Sequence, residues 1–254
     1  METYPNSRHI PYAPTETADL YPESDGKPMA ETDMHAVAII DLRQRFDGFF
    51  ADNPDTYVSG TLMMYDIEGP GRTAVSPDIL VSFGIGKKLR RTYKAWEEGK
   101  PPDFVMEFSS KGTFQNDLGH KKAHYASMGI PEYFLCDIDR RYLPTPLMGF
   151  RLKDGTYERI PENADGSIPS VTLGVSFHLL DEGLAVYEET TGRWLQTPAE
   201  AAEAAEQRVE QEVAARAREA AARAREAAAR AEAEAEVSRL REELERLKAR
   251  LSDD

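Results

Sequence analysis

The chain changes character at Pro198. Beyond it the sequence is dominated by alanine, glutamate and arginine, with 15 acidic and 11 basic side chains and no glycine, aromatic residue or further proline. Such residues favour a helix but cannot fill a core, so a folded body must be built from the first 197 positions. Thr197-Pro198 is a suitable helix start, and the tail predicts one helix of about 50 residues, roughly 75 Å long. Val237, Leu240, Leu244, Leu247 and Leu251 recur at three and four residues, the seam of a left-handed coiled coil. Upstream the seam is Val213, Ala217, Ala220, Ala224, Ala227 and Ala231, one residue out of register with the leucines. Alanine buries little, so the expectation is parallel self-association through the last heptads. The alternatives are a tether to another helical protein, or a solitary charged helix laced by pairs worth roughly 0.2–0.5 kcal/mol each.

Within the body, residues 103–133 carry the chemistry. Asp103-Phe104-Val105-Met106-Glu107-Phe108-Ser109 reads as a short apolar strand, and Gly112 interrupts it before a helical period begins. A period of two places Phe104, Met106 and Phe108 on one face and Val105, Glu107 and Ser109 on the other. A carboxylate inside a hydrophobic strand is unfavourable unless it is neutralised, paired or bound to a cation. Asp78 poses the same problem at the head of a second strand, directly after Pro77, over 78–83. Two such acids on neighbouring strands repel unless a divalent cation lies between them, and hard oxygen ligands suit magnesium. The following helix supplies an amine: Phe114, Leu118, Tyr125 and Met128 share one stripe of a 3.6-residue repeat, and Lys121 lies on it, while Lys122 falls one position off. Asp78, Glu107 and Lys121 are therefore a candidate metal and water-activating site.

Pro77-Asp78 followed by Glu107 resembles the PD-(D/E)XK nuclease superfamily, whose signature is proline-aspartate and then an acid, any residue and a lysine. Glu107-Phe108-Ser109-Ser110-Lys111-Gly112-Thr113, Asp117-Leu118-Gly119-His120-Lys121, Tyr125 and Pro131-Glu132-Tyr133-Phe134 are more closely similar to the Uma-two family of bacterial restriction endonucleases, over roughly 29–194. Ser109 stands where the signature has lysine. In relatives that lysine can come from the next helix, and Lys121 matches that place. The resemblance implies an α+β, restriction-endonuclease-like core with extra β-strands. It also implies a magnesium- or manganese-dependent endodeoxyribonuclease, in which Asp78, Glu107 and the Phe108 carbonyl hold the metal and Lys121 orients a water. It assigns Glu31, from the first helix, to the same site, with His35, Ser109 and Tyr125 in support. Glu31 can equally stabilise its own helix terminus through the backbone dipole.

The remaining sequence is consistent with that frame. Residues 1–28 carry several prolines and few aliphatics and read as an extended arm, disordered unless a partner subunit orders it. A helix over 29–50 presents Ala38, Leu42, Phe46 and Phe49 on one face, and the body extends to 196. One strand is expected over 57–65, another over 132–138, and short strands over 149–152, 156–160, 171–173, 177–180 and 184–187 extend the sheet and offer a dimer surface. Asp154-Gly155 marks a hairpin. With one cysteine, Cys136, no internal disulfide forms, and that residue reads as a small buried hydrophobe. No apolar run reaches the roughly 18 residues that span a bilayer, which predicts a cytoplasmic chain without membrane contact.

Net charge opposes nucleic-acid binding. The formal charge is −14, and removing the tail leaves about −10 on the body. Lys87, Lys88, Arg90, Arg91, Lys94 and Lys111 are nevertheless clustered around the acidic strands, interleaved with Tyr93 and Trp96, and could cradle a DNA backbone; a solvated surface is the plainer reading. A homodimer through core and tail is expected. The opposing functional reading is an inactive nuclease-fold scaffold that acts through its coiled coil, and RNA or a nucleotide remains open as substrate.

Overall fold

Thr32 sets the start of the first helix. In this computed structural model, which describes residues 21–24, 26 and 32–252, Thr32 is extended and its hydroxyl accepts the His35 N–H at 3.3 Å. Helix α1 (Asp33–Phe49) therefore begins four residues later than the sequence predicts, with Asp33 in the first turn complementing the helix dipole. Its buried stripe is His35, Ile39, Leu42 and Phe46, and Ala38 and Phe49 pack at the margin.

Six strands form the sheet that carries the site, in the order β1 (Thr56–Ser59), β4 (Ile79–Phe83), β6 (Phe104–Phe108), β7 (Glu132–Cys136), β8 (Leu147–Lys153) and β9 (Thr156–Arg159). All neighbours are antiparallel except β6 and β7. A parallel pair needs a crossover, which the helical segment of residues 114–128 supplies. The β8–β9 hairpin turns at Asp154 and Gly155, both with positive φ, as the Asp-Gly pair predicts. A separate small sheet joins β2 (Met64–Tyr65), β3 (Ala74–Val75) and β5 (Tyr93–Lys94), and a short α2 (Ala95–Glu98) follows it.

Two expected strands are corrected. The single strand over 57–65 is broken after Ser59, because Gly60 runs against the backbone at Asp78 and Thr61 turns into positive φ at 54°. The strand over 171–173 is a turn, closed where Gly174 at φ 72° donates to the Ser170 carbonyl, and Val171 is 72% exposed. The strand lies earlier, as β10 (Ile168–Ser170), and it pairs with β11 (Val175–Leu180), β12 (Gly183–Glu188) and β13 (Arg193–Trp194) in a second antiparallel sheet.

The alternation of β6 separates two core layers. Phe104, Met106 and Phe108 pack with Ile39, Leu42 and Phe46 of α1 and with Phe177 and Val186 of the second sheet. Val105 faces the other way, among Leu80, Tyr125, Tyr133 and Leu135. Cys136 is fully buried, and burial pushes its thiol pKa up. Of the expected N-terminal arm, Tyr21 to Ser24 are docked rather than extended into solvent. Tyr21 lies against Tyr65 and Trp96, its hydroxyl accepts the Gly69 N–H at 2.8 Å, and Tyr65 donates to the Pro22 carbonyl at 2.6 Å. The rest of residues 1–20 lies outside the described residues.

The chain divides into two units, 1–198 and 199–254. The second is occupied by α5 (Pro198–Ser252), a continuous helix of 55 residues, about 80 Å at 1.5 Å per residue.

Candidate active site

Register brings the two acids together. Ile79 pairs with Met106 and Leu80 with Val105, so continuing the ladder by one residue sets Asp78 opposite Glu107. Asp78 Oδ2 accepts the Phe108 N–H at 2.7 Å. In a strand the N–H and C=O of one residue point to the same side, so the Phe108 carbonyl is turned toward Asp78 as well. The backbone of Asp78 is fixed from behind: Thr61 N–H donates to the carbonyls of Pro77 and Asp78 at 3.0 and 3.2 Å, and a Cβ on Gly60 would lie 2.9 Å from the Asp78 oxygen.

The helix after β6 is not one regular helix. It runs as α3 (Phe114–Asn116), a π-helical segment (Asp117–Lys121) and α4 (Lys122–Met128). The longer i→i+5 turn keeps residues four apart more nearly in line, so Asp117, Lys121 and Tyr125 all project inward. Lys121 Nζ lies 2.9 Å from Glu107 Oε2 and 3.3 Å from Asp117 Oδ1. The Tyr125 hydroxyl donates to Glu107 Oε1 at 2.6 Å. Ser109 Oγ donates to Asp117 Oδ2 at 3.0 Å, and Tyr133 donates to the Asp117 carbonyl, also at 3.0 Å.

Electrostatics follow from that geometry. Burial, then the charge of Glu107, hold the Asp78 carboxyl well above the usual range. Glu107 is raised by burial although Lys121 opposes the shift. Burial alone would disfavour the Lys121 ammonium, but Glu107 and Asp117 outweigh it and push the pKa above that of an ordinary lysine. In this arrangement Lys121 is held as the ammonium, an N–H donor to both carboxylates. Burial and the neighbouring Glu107 keep the Tyr125 phenol protonated.

The structure thus brings Asp78, Glu107, Lys121, Ser109, Tyr125 and the Phe108 backbone to one place. It does not bring His35: that side chain lies on the buried stripe of α1 with Ile39, on the opposite face of the sheet, and its Nε2 has no hydrogen-bond partner among the described residues. Glu31 lies outside the described residues. Asp117 is the residue that periodicity missed. A regular helix puts it at the margin of the inner stripe, four residues before Lys121, and the π turn brings it closer to that line, where it is 1% exposed.

The basic cluster is largely engaged within the fold. Arg90 is a correction: its side chain is 3% exposed, forks onto Glu98 at 2.8 and 2.7 Å, and lies over the Tyr57 ring, so it cannot reach a DNA backbone. Lys87 Nζ donates to the carbonyls of Phe50 and Ala51 at the end of α1. Lys88 pairs with Glu98, Arg91 with Glu23 and Lys94 with Glu97. Among the described residues Lys111 makes no ion pair, and its side chain is exposed.

As a metal site the donors fit. Two carboxylates face each other across adjacent strands, each charge opposing the other, beside a carbonyl, and all are hard oxygens. Among the described residues no group of three or more His, Cys, Asp or Glu side chains is arranged to hold a metal ion by itself.

A family model described as "Putative restriction endonuclease", Uma2, matches residues 15–186, well over half of the 254. The chain belongs to the Uma2 family. The match includes Asp78, Glu107, Asp117, Lys121 and Tyr125 and ends before α5, so the long helix lies outside the Uma2 region. No curated protein matches the chain. Among solved structures it is similar to a protein from Anabaena variabilis described as "a putative nuclease belonging to DUF820", with 16% identity over 59% of this chain and 81% of that one and a TM-score of 0.43. No described helix is long and apolar enough to cross a membrane.

Proposed function

We propose that the chain hydrolyses DNA phosphodiester bonds with a divalent cation, magnesium or manganese, held by Asp78, Glu107 and the Phe108 carbonyl. The observation that carries this reading is the convergence of Asp78, just before β4, Glu107 of β6 and the Lys121 amine of the π turn beside these two central strands. Membership of a restriction-endonuclease family supports it.

The bound cation supplies Lewis-acid polarisation of the phosphate and of the attacking water. The chain's own groups do the rest. Lys121, kept protonated by two carboxylates, offers its N–H donors to the water and to charge developing on the phosphate, where a preorganised donor is most effective. Tyr125 fixes the Glu107 rotamer through one oxygen, leaving the other to Lys121 and the metal side. Thr61 and Gly60 hold the Asp78 backbone against β1.

The test is nicking of supercoiled plasmid with magnesium or manganese present and after chelation, by the wild type and Glu107→Gln. Wild-type nicking that chelation removes, and a Glu107→Gln variant lowered at least about a hundredfold with its unfolding midpoint preserved, are expected. The carboxamide oxygen can still accept from Tyr125, and Asp117 remains as the buried counter-charge of Lys121, so the fold should tolerate it.

One observation favours a non-catalytic scaffold: protein groups already satisfy both oxygens of Glu107. Wild-type protein inert toward supercoiled, linear and single-stranded DNA with every divalent metal would establish that reading, and cleavage of RNA alone would redirect the substrate class.

A further inference from the structure

The helix α5 leaves its apolar seam uncovered. Val237, Leu240 and Leu244 are 47%, 53% and 52% exposed. With Leu247 and Leu251 they alternate in threes and fours, so Val237, Leu244 and Leu251 take the a positions of a heptad and Leu240 and Leu247 the d positions. The flanking positions then decide what can cover the seam. Glu236, Glu243 and Arg250 occupy g, and Glu234, Arg241 and Lys248 occupy e. In a parallel, in-register pair each g residue meets the e residue five places on in the other helix. Glu236 would face Arg241 of the second copy, and Glu243 would face Lys248, giving four opposite-charge contacts across the two-fold axis. In an antiparallel pair g meets g and e meets e: Arg250 can then meet a g glutamate, but the alignments that cover most of the seam also set Glu243 against Glu243 or Arg241 against Lys248, whereas the parallel pair has no like-charge contact.

We infer that the last two heptads of α5 pair with the same segment of a second copy, parallel and in register. Val237 at a over Leu240 at d favours two strands at the start of the seam, while Leu244 and Leu251 at the later a positions select no number of strands. Among the described residues Arg241 and Glu243 make no ion pair within their own helix, whereas Glu236 pairs with Arg239 and Lys248 with Glu245, exposed i,i+3 contacts that the cross-strand pairs would share or replace at little cost. Pairing does not run the length of the helix. From Ala231 to Val237 the seam advances six residues rather than seven, which turns the alanine stripe away from the leucine stripe by about 100°. Around the alanine stripe, Arg216, Arg223 and Arg230 hold the g positions and Ala214, Ala221 and Ala228 the e positions, so no complementary charge draws that part together. The upstream helix is a stem, and the zipper is its end.

The test is light scattering of the full chain over a dilution series. Wild-type protein is expected to reach twice the chain mass of 28.5 kDa at high concentration. Glu236→Lys with Glu243→Lys converts every cross-strand contact to repulsion and should weaken the dimer roughly tenfold or more. Adding Arg241→Glu and Lys248→Glu restores complementarity and should restore the dimer, with far-UV circular dichroism checking that all variants stay helical. A monomeric wild type, a larger oligomer, or a dimer indifferent to the double reversal overturns the inference. An antiparallel pair does not recover in the fourfold variant, since Glu236→Lys or Glu243→Lys then faces Arg250. Failure of the fourfold variant to recover overturns the register.

Discussion

A buried charge is tolerated only with its partner, and Lys121 is that partner for two acids at once. Glu107 and Asp117 are each 1% exposed, and the amine lies 2.9 and 3.3 Å from them. Lys121→Met would leave both carboxylates without a cation, and breaking a buried pair from one side costs about 3–5 kcal/mol. Urea denaturation should show a loss of that size, and combining Lys121→Met with Glu107→Gln should recover part of it, because one orphaned charge is then gone. A loss below roughly 1 kcal/mol, the size of a surface pair, would mean that the network is solvated and not a buried unit. Sequence periodicity identified Glu107 and Lys121 correctly as inward-facing, since alternation and a helical stripe are local properties. Asp117, four residues before Lys121, was in reach of the same reasoning as its helical neighbour, but its full burial goes with a π turn that no spacing of apolar residues encodes.

Elements in this fold are placed by backbone approach as much as by side-chain packing. Two glycines separate these effects. A methyl on Gly60 would meet the Asp78 carbonyl at 2.9 Å, so the strand crossing there must shift and carry Asp78 with it. Gly60→Ala is expected to lose about 1–3 kcal/mol and to lower plasmid nicking. Gly48 lies within α1 with nothing in reach of an added Cβ, so Gly48→Ala should gain about 0.5–1 kcal/mol and leave nicking unchanged. Equal effects on unfolding from the two substitutions would contradict the close approach of β1 to Asp78. The break in the expected 57–65 strand has the same origin: composition reads continuously from Tyr57 to Tyr65, and only the contact with a residue 18 positions away interrupts it. The start of α1 shows the converse, a local cap at Thr32 that a reading by apolar stripe overran.

For the whole molecule, the division at Pro198 makes a sharp expectation. A chain ending there keeps every buried residue of both core layers, so its thermal midpoint should match the full chain's, while self-association should disappear from light scattering. A large drop in midpoint would mean that the body depends on the helix for stability. That boundary was plain in composition, because a run of alanine, glutamate and arginine cannot form a core in any fold. The same holds for the turn at Asp154-Gly155, the burial of Cys136 and the conflict that Glu107 creates inside an apolar strand. Each follows from residue type and its nearest neighbours. Tertiary structure alone decided what resolves the conflict: the β4–β6 register that sets Asp78 opposite Glu107, the π turn that turns Asp117 inward, and the pairing that buries Arg90 against Glu98 instead of offering it to an anion. The register and the seating of Arg90 over Tyr57 depend on contacts between distant segments, and charge balance at a point in space is not a property that any short stretch of sequence carries.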